Sequence, residues 1–412
     1  MRATGIGAVV IGLALSASLS ASAKDIFVGH IADYTGATST VGTVYGQGVS
    51  DALTWIDAHG GINGKPIKFE TVDYSYKAPQ AISTYKSWKR EDPAAIQGWG
   101  TADTEALVQF VARDEIPYFS ASYSGHLTDP TGQNPETKAP APYNFFYGPS
   151  YSDGCRALVK WAADDWKNKG GEGQAKYVHM GDNHPYPNAP KAACEAYAKE
   201  LGMEVLSPIV FSLAPGDFKA QCLTLKDSGA NYAFLANTGG SVISLLKSCA
   251  TVGVDVQFLA NVWGYDGNVM DAAGDAADGV VWVVGAAPWG SDVPGMATIR
   301  DISKVSDPTG EQPRRLHYMR GVCSVFFMRD AMVWADENGG ITGPNIKAAM
   351  EQMTDHVPAE LEGVCLPSGW TPTDHRGTTT VMLYRGHVSD DQKDMEHIAT
   401  VEIERRPEWL GM

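Results

Sequence analysis

The residues able to hold a small polar molecule sit just beyond short apolar runs. Residues 94–97 lead into Gly98-Trp99-Gly100-Thr101, and residues 117–121 into Ser122-Tyr123-Ser124. Later, residues 176–180 lead into Asn183-His184-Pro185-Tyr186, and residues 232–235 into Asn237-Thr238. Residues 257–260 then give way to Asn261-Val262-Trp263-Gly264-Tyr265-Asp266. Backbone N–H groups and hydroxyls in such turns are donors for a polar ligand, whose buried groups need several partners to offset their lost hydration. Tyr34, Trp99, Tyr123, Tyr186, Trp263 and Tyr265 add rings that pair with a flat ligand through stacked or edge-on contacts. His184 has the character of a surface-loop histidine and ranks below Tyr186.

Catalytic patterns do not appear. There is no Gly-x-Ser-x-Gly elbow, and the ten histidines include no His-Glu-x-x-His pair and no zinc-spaced His/Cys cluster. Thr238-Gly239-Gly240 lacks the spacing of a phosphate loop or a dinucleotide fingerprint. The expectation is a binding protein without catalysis, cofactor or metal.

The elements that must position these residues alternate in kind. Residues 26–32 read as a strand and 46–59 as a helix, ended by Gly60-Gly61-Ile62-Asn63-Gly64, whose glycines and Asn accept a helix-terminating turn. Strand 67–73, helix 78–91, strand 94–97, helix 105–113 and strand 117–121 follow. After a proline-rich stretch at 128–142 the alternation resumes: helix 155–167, strand 176–180, helix 189–201 and strand 204–209. Helix 218–228, strand 232–235, helix 242–251 and strand 257–260 complete it. Strands separated by helices of 10–15 residues make βαβ units and parallel sheets, so two successive runs predict an α/β fold of two doubly wound parallel-sheet lobes. Ligands of such sheets sit beyond the C-terminal strand ends, where the residues above lie.

Composition narrows the setting. With 412 residues, 44% hydrophobic, the chain is globular and long enough for two domains. A net charge of −16 with no Lys/Arg cluster excludes a nucleic-acid partner. Residues 1–23 join Arg2, an apolar stretch and Ala21-Ser22-Ala23, the pattern of a cleavable signal peptide. No Cys follows that stretch to carry a lipid, and no later run is apolar enough to span a membrane. Export suits the six cysteines, Cys155, Cys194, Cys222, Cys249, Cys323 and Cys365. Six allow fifteen pairings and the sequence alone does not choose among them. Helical neighbours favour Cys155–Cys194 and Cys222–Cys249, leaving Cys323–Cys365, with buried free thiols as the alternative.

The segment His59-Gly60-Gly61-Ile62-Asn63-Gly64-Lys65-Pro66-Ile67 resembles the first helix-to-strand turn of periplasmic solute-binding proteins of branched-chain amino acid-type ABC importers. Thr35-Gly36, Asp73, the Pro79-x-Ala81 helix start, Gln97-Gly98-Trp99-Gly100-Thr101, Pro117-Tyr118-Phe119-Ser120-Ala121-Ser122 and Thr373-Asp374-His375-Arg376 agree with that family in order. The resemblance implies a type I periplasmic binding protein whose two lobes are joined by three crossovers, near Tyr147, Gly285 and Pro367. Lobe 1 would comprise residues 24–146 and 286–367, and lobe 2 residues 147–285 and 368–412. It implies a periplasmic monomer that closes on a small ligand and delivers it to an inner-membrane permease. Gly100, Thr101, Ser122 and Ser124 would hold a carboxylate, with Tyr34 and Trp99 beside them. Tyr186, Asn237 and Trp263 would close from lobe 2. One position departs: Val262 stands where amino acid binders carry an acid for the ligand ammonium. Either Asp266 reaches back to replace it or no ammonium is bound, so a branched-chain or other amino acid competes with an aromatic or other organic acid. A periplasmic sensor module is the other use of this fold.

Overall fold

A computed structural model describes Met1 and residues 25–412, so the signal-peptide expectation falls outside the described residues. The first sheet holds β1 (Ile26–Ala32), β2 (Ile67–Asp73), β3 (Ala95–Gly98), β4 (Tyr118–Ser120) and β5 (Asn144–Phe145), all parallel, in the order β2-β1-β3-β4-β5. The second holds β6 (Lys176–Gly181), β7 (Glu204–Val205), β8 (Ile209–Val210), β9 (Tyr232–Leu235), β10 (Gln257–Ala260), β11 (Val281–Val284), β12 (Thr380–Val388) and β13 (Lys393–Glu402). Its order is β13-β12-β11-β10-β9-β6-β7, with β8 also beside β6. The fold is α/β in two lobes, as the alternation predicts.

Two details differ from the sequence reading. The single strand expected over 204–209 divides into β7 and β8. Further strands appear where none is predicted: β5 in the first sheet, and β11 with the antiparallel β12 and β13 in the second. β12 does carry a period-two signal, with Val381, Leu383 and Val388 buried, but a register shift between Leu383 and Tyr384 interrupts it.

The helices are α1 (Ser39–Ala58), α2 (Ala78–Trp88), α3 (Thr101–Asp114), α4 (Tyr151–Asn168), α5 (Pro185–Asn188) and α6 (Lys191–Glu200). They continue with α7 (Lys219–Ser228), α8 (Gly239–Val252), α9 (Gly267–Ala273), α10 (Met296–Ser303), α11 (Leu316–Glu337) and α12 (Gly343–Met350). α1 begins several residues before the predicted start because Asp33 gathers the turn ahead of it, accepting from the N–H of Gly36 and Thr38 and from the Thr38 hydroxyl. α11 is buried for most of its length and packs against α1 in the first lobe. Their crossing is a mutual glycine contact. A Cβ at Gly48 would come 2.2 Å from the Tyr318 carbonyl oxygen, and one at Gly321 2.3 Å from that of Tyr45. Only residues without a side chain permit that approach, and it sets Arg320 of α11 beside Tyr45 of α1.

Three disulfides tie the helices down: Cys155–Cys194, Cys222–Cys249 and Cys323–Cys365, with Cα separations of 5.6, 4.9 and 5.7 Å. The first joins α4 to α6, the second α7 to α8, and the third anchors α11 to the strap that returns toward the second lobe. The proline-rich stretch folds around buried Asp129, which accepts from Thr131, Gly132, Asn134 and Thr137. Among the described residues, no helix is long and apolar enough to cross a membrane.

Candidate functional site

The C-terminal ends of both sheets face a narrow cavity of about 10 Å³, lined by Thr38, Tyr76, Trp99, Gly100, Ala121, Tyr151, Tyr186, Thr238 and Trp263. A space of that size holds about one water, so in this arrangement the walls are packed nearly shut. Five of the nine residues are aromatic, and none carries a charge.

On the first lobe the wall is the turn from β3 into α3. Asp103 organises it, accepting from the N–H of Gly100 at 2.7 Å and of Trp99 at 3.2 Å, and from the hydroxyls of Tyr74 at 2.6 Å and Tyr118. Burial pushes this carboxyl up, and the two tyrosine hydroxyls draw it back down. Trp99 is held by its indole N–H, which donates to the Thr38 hydroxyl at 2.8 Å. Tyr76 arrives through two consecutive residues in the left-handed region, Ser75 (φ 52°) and Tyr76 itself (φ 57°). Such backbone is uncommon away from glycine and gathers at functional sites. Here the Asp73 carboxylate, accepting from the Ser75 N–H and the Thr35 hydroxyl, holds the turn.

On the second lobe Asn261 plays the corresponding part. Its side-chain oxygen accepts from the Tyr186 hydroxyl at 3.0 Å and the Trp263 N–H at 2.8 Å, and its amide donates to the Ala236 carbonyl. Trp263 crosses to the first lobe, with its ring 5.0 Å from Trp99, 5.7 Å from Tyr45 and 5.6 Å from Tyr123. Its indole N–H donates to the Tyr151 hydroxyl at 2.9 Å. Gly240 explains the glycine pair that begins α8: a Cβ there would lie 2.9 Å from Thr40 of α1, so the glycine lets the lobes meet.

Of the residues expected at the site, Trp99, Gly100, Tyr186 and Trp263 line this cavity, as does Thr238. Thr101 and Ser122 lie behind it, their hydroxyls bonded to each other at 2.7 Å. The remaining four stand elsewhere for identifiable reasons. Tyr34 packs along α1 at Gly46. Ser124 turns to Glu105 at 2.9 Å. Asn237 spends its amide on the Phe211 and Ser212 carbonyls and the Ser241 hydroxyl, while its oxygen takes the Asp182 N–H. Asp266 caps α9, accepting from Asn268 and Val269, and its other oxygen lies 3.8 Å from His317. It therefore does not reach back toward the cavity. His184 lies at the rim, its ring 5.2 Å from Tyr76.

Thr38, Tyr76, Ala121 and Tyr151 were not singled out in the sequence. Tyr76 and Ala121 do obey the strand-end rule, following β2 and β4. Tyr151 begins α4 at the crossover between lobes, a place the strand-end rule does not cover.

The chain matches the periplasmic binding protein family profile over residues 25–393. It is 23% identical over 290 residues to Leu/Ile/Val-binding protein homolog 1 of Brucella abortus, covering 70% of this chain and 74% of that one. A Pseudomonas aeruginosa amino acid binding protein is also 23% identical, over 279 residues, or 67% of this chain and 70% of that one. Among solved structures, an ABC transporter substrate-binding protein of Aeropyrum pernix superposes with a TM-score of 0.78 at 25% identity, covering 94% of this chain and 98% of that one. A branched-chain amino acid ABC transporter protein of Thermus thermophilus with bound valine gives 0.78 at 20% identity, over 94% and 98%. A fatty acid ABC transporter substrate-binding protein of Thermomonospora curvata gives 0.79 at 18%, over 92% and 93%. These relatives are binding proteins rather than enzymes, and so is this chain. With two α/β lobes meeting at their strand ends and a profile match spanning nearly all of it, the chain belongs to the periplasmic binding protein family.

Proposed function

We propose that this protein is the periplasmic substrate-binding component of an ABC importer, and that its ligand is a small ring-bearing organic acid rather than an α-amino acid. The observation that carries this reading is the cavity wall: Tyr76, Trp99, Tyr151, Tyr186 and Trp263 surround it, and among the described residues no carboxylate lines it. A buried ammonium without a carboxylate partner would bear its whole desolvation cost. A flat ring meets faces and edges of complementary sign on every side. The relatives support the transport role, and their ligands, from valine to a fatty acid, differ enough that the wall is the better guide to specificity. The lobes would close over the acid and hand it, as a monomer, to a membrane permease.

A thermal-shift screen of the protein, unfolded and refolded to strip bound ligand, tests the reading. Any true ligand at 1,000 times its Kd adds about 4 kcal/mol of stability. Benzoate-type acids are expected to raise Tm, and leucine, isoleucine and valine to leave it unchanged. The reverse pattern would overturn the ligand class and keep the transport role.

A further inference from the structure

Behind Trp263, on the side away from the cavity, the protein buries a positive charge with nothing to balance it. Arg320 of α11 is wholly buried. Its Nη1 donates to the Val262 carbonyl at 3.0 Å, while Nε and Nη2 have no close partner and only the Tyr123 and Tyr147 hydroxyls to lean on. Among the described residues it forms no ion pair, and buried Asp266 sits against His317 instead. The guanidinium lies 3.6 Å from the centre of the Trp263 ring and 4.9 Å from that of Tyr123. Beside it lie the buried hydroxyls of Tyr123 and Tyr147, which interact with the guanidinium, and that of Tyr45, which interacts with Ser324. All three feel the guanidinium, which draws each of them down against the upward push of burial.

A lone buried guanidinium is among the costliest groups a fold can hold, and an aromatic face offsets only part of that. A cation with no carboxylate beside it, ringed by tyrosine hydroxyls that can turn to donate, forms a donor set matched to a carboxylate, which the planar fork of arginine binds through two parallel bonds. We infer that Arg320, flanked by Tyr45, Tyr123 and Tyr147, is the seat of the ligand's anionic group, and that Trp263 is the movable wall between this seat and the ring cavity. Arg320, Tyr45 and Tyr123 belong to the first lobe, whereas Trp263 is carried by the second. When the lobes part the indole withdraws and the fork is uncovered. The acid docks on the first lobe, and closure brings the rings of the second lobe over the remainder. This rests on the organic-acid reading above and adds where the charge is held.

Calorimetric titration of the full, ligand-stripped chain with benzoate, its uncharged counterpart benzamide and leucine tests it. Wild-type protein is expected to prefer benzoate to benzamide by about 100-fold or more, as for a buried charge pair against a neutral substitute. Arg320→Met is expected to erase that preference by weakening benzoate while leaving benzamide within about threefold, the scatter of a conservative change. Free of ligand, Arg320→Met should melt at or above the wild-type temperature, because an uncompensated charge has been removed. Equal wild-type affinity for benzoate and benzamide overturns the seat and needs no variant. Unchanged benzoate binding by Arg320→Met, with a lowered melting temperature, makes Arg320 a packing residue and also overturns it, while the ring-acid reading stands. If leucine binds and benzoate does not, the ring-acid reading fails by itself: a loss of about 100-fold on Arg320→Met keeps the seat, and unchanged leucine binding overturns it. Binding of none of the three overturns both.

Discussion

The two lobes meet at the cavity with opposite habits. Beside the cavity the second lobe's turns are committed: Asn237 makes four hydrogen bonds, Asn261 joins Tyr186, Trp263 and Ala236, and among the second-lobe residues lining the cavity only the Thr238 hydroxyl is left over, although the same lobe also holds His179 and Trp282 without partners. On the first lobe the Thr101–Ser122 pair is closed on itself, yet Arg320 is buried without a carboxylate, with only the hydroxyls of Tyr123 and, from the crossover, Tyr147 to lean on. Buried polar groups in native proteins are almost always satisfied. The contrast therefore separates scaffold from site: committed groups shape loops, and uncommitted ones await a partner from outside the chain.

Substitutions break or sharpen this contrast in a definite order. Asn237→Ala should have the largest effect, on stability rather than specificity. It strands the Phe211 carbonyl and the Asp182 N–H, while the Ser212 carbonyl and Ser241 hydroxyl keep each other, costing about 2–4 kcal/mol, read as a lowered urea midpoint. Unchanged stability would show that second-lobe commitments are not structural. Trp263→Ala comes next, weakening a ring-bearing acid by about 1–2 kcal/mol more than an aliphatic acid of similar size, on the scale of an aromatic pair within its buried area. Equal losses for both would remove Trp263 from ligand stacking. Thr101→Ala should be smaller: about 1 kcal/mol of stability for the lost partner of Ser122, with affinity nearly constant. A tenfold fall in affinity would return the carboxylate to that pair.

The smallest effect concerns Asp266. Burial raises its folded-state pKa, and the N–H groups of Val269 and Asn268 restrain that rise. A carboxyl with a raised pKa binds its proton more tightly in the folded state. As pH climbs past the ordinary carboxylate value of about 3.9, the unfolded chain ionises first and the folded state loses ground until its own pKa is passed. Asp266→Asn keeps a side-chain oxygen for the cap and removes the titration. Its stability relative to wild type should therefore rise between acid and neutral pH, followed by denaturation at several pH values. A pH-independent difference would exclude buried ionisation at this position.

Much of this was legible in the sequence because it rests on local signals. The βαβ alternation gave the two lobes, strand ends pointed to Trp99, Gly100, Tyr186 and Trp263, and Val262 marked the missing acid. What escaped depends on distance or strain. Tyr76 reaches the cavity through a left-handed turn that neither Ser nor Tyr advertises. Arg320 is far in sequence from the strand ends it sits beside, those before Val262 and Gly285, and is carried there by α11, which crosses α1 at paired glycines. One signal is readable: Met319-Arg320-Gly321-Val322-Cys323 sets a single charge in the buried first half of α11, and such a charge needs a partner. Asn237 and Asp266 show the opposite lesson, since residue types that could touch a ligand are as readily used to cap a helix or tie a loop.

The most direct test of the central claim is to identify what the protein carries when isolated from the periplasm without denaturation, by releasing the bound molecule and reading it by mass spectrometry. The account predicts an organic acid that bears a ring and lacks an amino group. Leucine, isoleucine or valine in stoichiometric amount would contradict it.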